Sequence, residues 1–155
     1  MSIFSSDPTE KTSQKITRYV LGAGLSFMGA LHFKKDSVEK FASIVPPIVP
    51  GSAENIVYLS GVAELAIGGT LLLAPRARKA AGLAATALFV AVFPANIYQY
   101  LEGIDIPGVF ETDAQRLRRL PLQLPLIMVA LYVAQQRSTS SASPDTQLQD
   151  ESRRR

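Results

Sequence analysis

The chain has 155 residues, of which 47% are hydrophobic, with a formal net charge of +3, no cysteine and a single histidine. The lack of cysteine excludes disulfides, thiolate zinc sites and iron–sulfur clusters, and one histidine excludes a bis-histidine haem within one chain. Glycine-rich nucleotide-binding motifs are absent from the sequence, and the basic residues flank apolar runs without forming one basic face. We therefore predict no intrinsic cofactor, no metal site and no nucleic-acid partner.

Polar residues are concentrated at the two ends of the chain. Segments rich in Ser, Thr, Asp, Gln and Lys bury too little apolar surface to become ordered. We therefore predict a disordered head over residues 1–15, a transmembrane domain over residues 16–135 and a disordered tail over residues 136–155.

The first apolar run is Tyr19–Phe33. A helix of this length spans about 22 Å, less than the roughly 30 Å of the hydrocarbon core, so we extend it back to Ile16 and expect Arg18 to snorkel. Basic residues precede the run as in a signal peptide, but no small-x-small cleavage site follows it. We therefore predict an uncleaved span, followed over residues 34–54 by an interfacial helix and a Pro-rich turn.

Three further apolar runs follow: Ile56–Ala74, Ala80–Tyr100 and Leu120–Ala134. A short basic turn joins the first two into a helical hairpin, and the prolines near the start of the last run are tolerable in a membrane helix. Strict alternation of polar and apolar residues is absent, which disfavours a membrane β-barrel. The predicted fold class is all-α, a bundle of four transmembrane helices.

Four spans place both termini on one side of the bilayer. That side carries ten of the 16 Lys and Arg residues. The positive-inside rule therefore predicts cytoplasmic termini in a plasma membrane, which in a bacterium is the inner membrane. The sequence leaves the membrane of a eukaryotic organelle open as an alternative.

Five polar residues are predicted in the leaflet nearest the two longer loops or just below it: His32, Glu64, Asn96, Arg119 and Gln123. Glu64 is the deepest, about 12 Å below that interface. An ionisable residue in an apolar span must be paired, protonated or turned inward. We expect Arg119 and Gln123, which share a helix face, to offer hydrogen-bond donors to Glu64.

Small residues form a second pattern. Gly22 and Gly29 lie on one face of the first run, and Gly61 and Gly68 lie on the same face of the second run as Glu64. Such faces let two helix backbones approach closely. Three interpretations of the polar set remain open: a buried network that fixes helix register, a pocket for a polar headgroup or a proton relay, and a contact with a partner.

The sequence also resembles the DoxX-like membrane proteins. The resemblance covers most of residues 19 to 134 and is carried by five stretches: GALHF (29–33), IVPPIVP (44–50), VYLSGVAELAIGGTLLLAPRARKAAG (57–82), AVFPANIY (91–98) and RLPLQLPLI (119–127). It implies a compact bundle of four membrane helices whose recurring polar positions fall on the five residues named above. Members of that group are linked to quinone-coupled sulfur oxidation, oxidative-stress complexes and receptor assembly.

The first functional hypothesis is a non-catalytic or accessory subunit, of a redox complex for example, whose polar pocket binds a quinone- or lipid-like molecule. The second is an assembly factor that docks other membrane proteins, or a second copy, through its small-residue faces. A proton or solute transporter ranks last, because it requires polar residues through both leaflets.

Overall fold

The computed structural model describes residues 4–135 of the chain. These residues form five α-helices and no strand. The helices are α1 (Thr12–Leu31), α2 (Lys35–Ala42), α3 (Ala53–Leu73), α4 (Arg78–Leu101) and α5 (Asp113–Ala134), and a single 3-10 turn, Pro75–Ala77, joins α3 to α4. The predicted tail over residues 136–155 lies outside the described residues.

The first helix starts earlier than predicted, at Thr12, within the segment assigned to a disordered head. Its first turn is held by Gln14, whose amide donates to the backbone carbonyls of Tyr132 at 3.0 Å and Gln135 at 3.1 Å. This long-range anchor explains the additional turn of helix.

The short α2 helix lies where an interfacial helix was predicted, and it packs on α3. Val38 is buried, whereas Lys35, Asp36 and Glu39 are exposed. The Ser52 hydroxyl then accepts a hydrogen bond from the backbone N–H of Asn55 and caps the start of α3.

The last helix also starts earlier than its apolar run. Thr112 and Gln115 form a capping box, in which each side chain accepts a hydrogen bond from the backbone N–H of the other residue. The helix therefore begins at Asp113, seven residues before the apolar run that starts at Leu120.

The long helices pack in antiparallel neighbouring pairs. α1 packs most extensively on α3, and α4 packs on α5, while smaller contacts join α3 to α4 and α1 to α5. Between them lies an apolar core, with Leu71, Ala85, Ala130 and Val133 fully buried and Leu21, Leu25 and Ala81 nearly so.

Within residues 4–135, three segments are long and apolar enough to cross a membrane: Ala53–Leu73, Pro75–Leu101 and Asp113–Ala134. Most of each segment faces outward, with large apolar side chains such as Leu59, Val90 and Met128 exposed. Such surfaces imply contact with a lipid bilayer. The α1 helix, whose first two turns carry Lys15 and Arg18, is not among the three.

A polar network covers the end of the molecule where α1 begins and α5 ends. The Arg78 side chain, fully buried, donates to Asp7 at 2.7 Å, to Thr9 at 3.0 Å and to the carbonyl of Val133 at 2.8 Å. It also binds the carbonyl of Gln135. A buried arginine therefore satisfies the carbonyls at the C-terminal end of α5.

Arg18 makes the equivalent contact with a carbonyl at the C-terminal end of α3. Its Nε donates to Glu10 at 2.7 Å, and its guanidinium binds the carbonyl of Leu71 in the last turn of α3. The residue is only 1% exposed, so the expectation that Arg18 snorkels was wrong. Glu10, from the segment before α1, supplies the neutralising charge that allows burial.

Candidate functional site

The two ionisable residues predicted on the first two long helices form a pair. His32 caps the C-terminal end of α1, and Glu64 lies in the middle of α3. The imidazole Nδ1 of His32 lies 3.0 Å from Oε2 of Glu64, and the side chains are only 9% and 12% exposed. The Ser60 hydroxyl, one turn before Glu64, donates to the other carboxylate oxygen at 3.4 Å.

Aromatic rings surround this pair on the loop side. The Phe41 ring of α2 packs at a tilt against the imidazole of His32, with ring centroids 4.8 Å apart and an angle of 58° between the ring planes. The next residue, Phe33, packs its ring against Tyr58 at 5.9 Å between centroids. The pair therefore lies between a close helix crossing and a cluster of aromatic side chains.

The four predicted packing glycines form that helix crossing. Gly22 of α1 faces Gly68 of α3, and Gly29 faces Gly61. A Cβ atom at position 61 would lie 2.7 Å from Cβ of His32, and one at position 29 would lie 2.9 Å from Cβ of Glu64. Glycine at these positions is therefore what lets α1 and α3 bring the imidazole and the carboxylate together.

Asn96 and Gln123 meet elsewhere, between α4 and α5. The Asn96 amide donates to Oε1 of Gln123 at 3.3 Å, and the Gln123 amide donates to the backbone carbonyl of Phe89. Phe89 lies five residues before Pro94, whose missing backbone N–H frees the carbonyl of Val90 and not that of Phe89. The Phe89 carbonyl is therefore bound by the Gln123 side chain. The side chains of Asn96 and Gln123 are both buried.

Arg119 binds the α4 helix as well. Its Nη1 donates to Oε1 of Gln99 at 2.7 Å, and its guanidinium lies over the ring of Phe110, 4.6 Å from the centroid. Gln99 in turn donates to the carbonyl of Ile104 at 3.2 Å. Arg119 and Gln123 therefore serve the α4–α5 contact, and the side-chain partners of Glu64 are His32 and Ser60 instead.

The structure thus divides the five predicted residues into two sets. His32 and Glu64 join α1 to α3, whereas Asn96, Gln123 and Arg119 join α4 to α5. Sequence reasoning did not single out Ser60, Phe41 or Gln99. Ser60 lies one helical turn from Glu64, which is the spacing that signals a contact, whereas Phe41 and Gln99 carry no comparable local signal.

An open cleft of about 380 Å³ lies on the loop side, lined by Tyr100, Leu101, Glu102, Gly103 and Asp113. None of the five predicted polar residues lines this cleft. No three His, Asp or Glu side chains within residues 4–135 are placed to hold a metal ion.

The described chain is an all-helical protein with three helices suited to crossing a membrane and a buried imidazole–carboxylate pair. It belongs to the family described as "Domain of unknown function (DUF8561)", which matches residues 21–134. No curated protein and no solved structure matches the chain.

Proposed function

We propose that this protein is a DoxX-like integral membrane protein with four transmembrane helices. We further propose that it is a non-catalytic or accessory subunit, of a redox complex for example, and that it binds a quinone- or lipid-like molecule at His32 and Glu64. The single observation that carries the proposal is the 3.0 Å contact between Nδ1 of His32 and Oε2 of Glu64 at the α1–α3 crossing.

The outer face of α1 supports a fourth span. Ile16, Val20 and Phe27 are more than half exposed, and they alternate along the helix with the glycines that face α3. A helix of 20 residues is about 30 Å long, which matches the hydrocarbon core. The basic residues Lys15 and Arg18 lie at the end of α1 that a cytoplasmic leaflet would receive.

The surroundings of the pair support an amphiphilic ligand. The imidazole and carboxylate offer hydrogen bonds to a polar headgroup, while the rings of Phe33, Phe41 and Tyr58 suit a flat or apolar group. An apolar core that includes Leu25 and Leu71 lies between this pair and the arginine network at the opposite end. This layer favours binding from one side over transport across the bilayer.

The test is mass spectrometry of the protein gently extracted from its native membrane, with bound small molecules and co-purifying proteins recorded together. We expect a stoichiometric quinone or lipid in the unaltered protein and its loss in Glu64→Gln. The matched control is Glu54→Gln, the same chemical change at an exposed position of α3. Equal ligand content in both variants would refute the proposed site.

The topology has its own measurement. We propose cytoplasmic termini in a plasma membrane, the inner membrane in a bacterium, from the excess of basic residues at the terminal end of the helices. Labelling of single cysteines placed at positions 36 and 111, in an otherwise cysteine-free chain, should occur from the outside only. Labelling of one position from the outside and of the other from the inside would exclude four spans.

The assembly-factor hypothesis remains the alternative. Its motivation was the small-residue faces, but Gly22, Gly29, Gly61 and Gly68 all pack within the chain. Their side of the helices is therefore not open to another protein. Cross-linking in native membranes that captures a specific partner, with no small molecule bound, would favour this alternative.

A further inference from the structure

The two ring nitrogens of His32 have different surroundings. Nδ1 faces Glu64 at 3.0 Å. Nε2 makes no hydrogen bond to any side chain or backbone group of residues 4–135. Among these residues the one fully buried side-chain nitrogen or oxygen without a partner is Nε of Arg116. Since Nε2 also has no partner, it is not fully buried. Nε2 is therefore the ring nitrogen that has no partner among the described residues and keeps some accessible surface.

Glu64 determines which nitrogen of the His32 imidazole carries the proton. Ser60 donates to one carboxylate oxygen, and the other faces Nδ1 of His32. An ionised carboxylate can only accept hydrogen bonds, so a neutral imidazole beside it carries its proton on Nδ1. Nε2 is then left with a lone pair directed away from the carboxylate.

Resting on the function proposed above, we infer that Nε2 of His32 is the atom that contacts the ligand, and that Glu64 is a positioning residue acting through Nδ1. An acceptor lone pair recognises a donor, so the ligand class is an apolar molecule with a hydroxyl headgroup. A quinol and a hydroxyl-bearing lipid such as a diacylglycerol share this chemistry. An oxidised quinone, which has only carbonyl oxygens, lacks it.

The protein's single histidine makes the assignment directly measurable. Protein labelled with ¹⁵N-histidine and reconstituted in lipid nanodiscs at alkaline pH gives one pair of imidazole nitrogen resonances. We expect the resonance of a protonated nitrogen at Nδ1 and of an unprotonated one at Nε2. Glu64→Gln should move the protein toward the other tautomer, whereas the matched Glu54→Gln should leave both resonances unchanged.

Ligand probes then test the contact. A short-chain ubiquinol and dioleoylglycerol are each titrated beside the oxidised ubiquinone and the O-methylated quinol. We expect a hydroxyl-bearing probe to shift the Nε2 resonance, and Glu64→Gln to weaken its binding about tenfold, as for one lost hydrogen bond. Which of the two probes acts identifies the source of the hydroxyl.

Three results would overturn the inference: a proton on Nε2 in the unaltered protein, a response to the methylated or oxidised probe as large as to the hydroxyl probe, or no response to any probe. Native mass spectrometry separates this failure from that of the proposed function. A ligand lost on Glu64→Gln together with a protonated Nε2 would retain the site and reject the contact atom, whereas no such ligand would reject both.

Discussion

Adding one methyl group at the crossing of α1 and α3 is expected to force the two helices apart. In Gly68→Ala the new Cβ would lie 2.5 Å from the Ser26 hydroxyl oxygen, 2.7 Å from the Gly22 carbonyl oxygen and 2.8 Å from the Ser26 backbone nitrogen, against 3.4–4 Å for ordinary contact. Two of these three atoms belong to the backbone, so a change of rotamer cannot relieve the overlap. The helices must separate by several tenths of an ångström.

The adjacent residue provides the control. A Cβ at Gly69 would meet nothing within 4 Å. Both substitutions gain the same helix propensity, about 1 kcal/mol, so their difference isolates the steric overlap. Overpacking typically costs about 1–3 kcal/mol, and we expect Gly68→Ala to be about 2 kcal/mol less stable than Gly69→Ala.

Unfolding in mixed micelles measures this difference. The protein in a mild detergent is titrated with sodium dodecyl sulfate, and loss of tertiary structure is followed by near-ultraviolet circular dichroism of its five tyrosines. Ser26→Ala combined with Gly68→Ala should recover only part of the loss, because the backbone overlaps persist. Equal stability of Gly68→Ala and Gly69→Ala would refute the close crossing.

Three other predictions concern the opposite end and the α4–α5 contact. Arg78→Gln should lower the free energy of unfolding by about 3 kcal/mol in the same titration, since it breaks a buried ion pair, while Lys79→Gln on the exposed neighbour should change it little. Burial raises the pKa of Asp7, but hydrogen bonds from Thr9 and Arg78 outweigh it, so the net pKa lies below its ordinary value of 3.8. The Asp7 carboxylate therefore stabilises the fold at neutral pH, and this stabilisation is lost as the pH falls below 3.8. An acid titration of Asp7→Asn should lack this pH-dependent loss. Gln123→Leu should destabilise the fold by about 1–3 kcal/mol, by leaving the buried Asn96 amide unpaired, yet keep the native ligand in mass spectrometry.

Helix positions and small-residue faces could be predicted because both depend on local spacing. The four apolar runs lie within α1, α3, α4 and α5, apart from residues at their ends. Gly61 and Gly68 are seven residues apart, which is two helical turns, so the sequence alone places them on one face. Their partners on α1 follow once adjacent helices run antiparallel.

The grouping of the polar residues could not be predicted in the same way. Position along a helix gives depth in the bilayer, but it does not give the rotation of the helix or the identity of its nearest neighbour. Arg119 and Glu64 lie on helices with different partners, and Gln99 on the adjacent α4 helix binds the guanidinium first. Spacing along the chain therefore could not give the pairing, which required the packed structure.

The arginine network was missed for another reason. Asp7 and Glu10 lie in a segment whose composition is typical of disorder, and their partners Arg78 and Arg18 are distant in sequence or in the next helix. Composition describes the average behaviour of a segment, but two carboxylates opposite two buried guanidinium groups are enough to anchor it.

The bond between Arg18 and the carbonyl of Leu71 has a consequence for biogenesis. The two residues are 53 positions apart, so α1 leaves the ribosome before its carbonyl partner has been synthesised. Until then the guanidinium has Glu10 as its charged partner but lacks the carbonyl acceptor of α3, which leaves a polar group that lipid does not accept readily. With the four spans proposed above, the unit released into the bilayer is expected to be α1 together with α3, so that early translation intermediates remain bound to the translocon until the second long helix emerges.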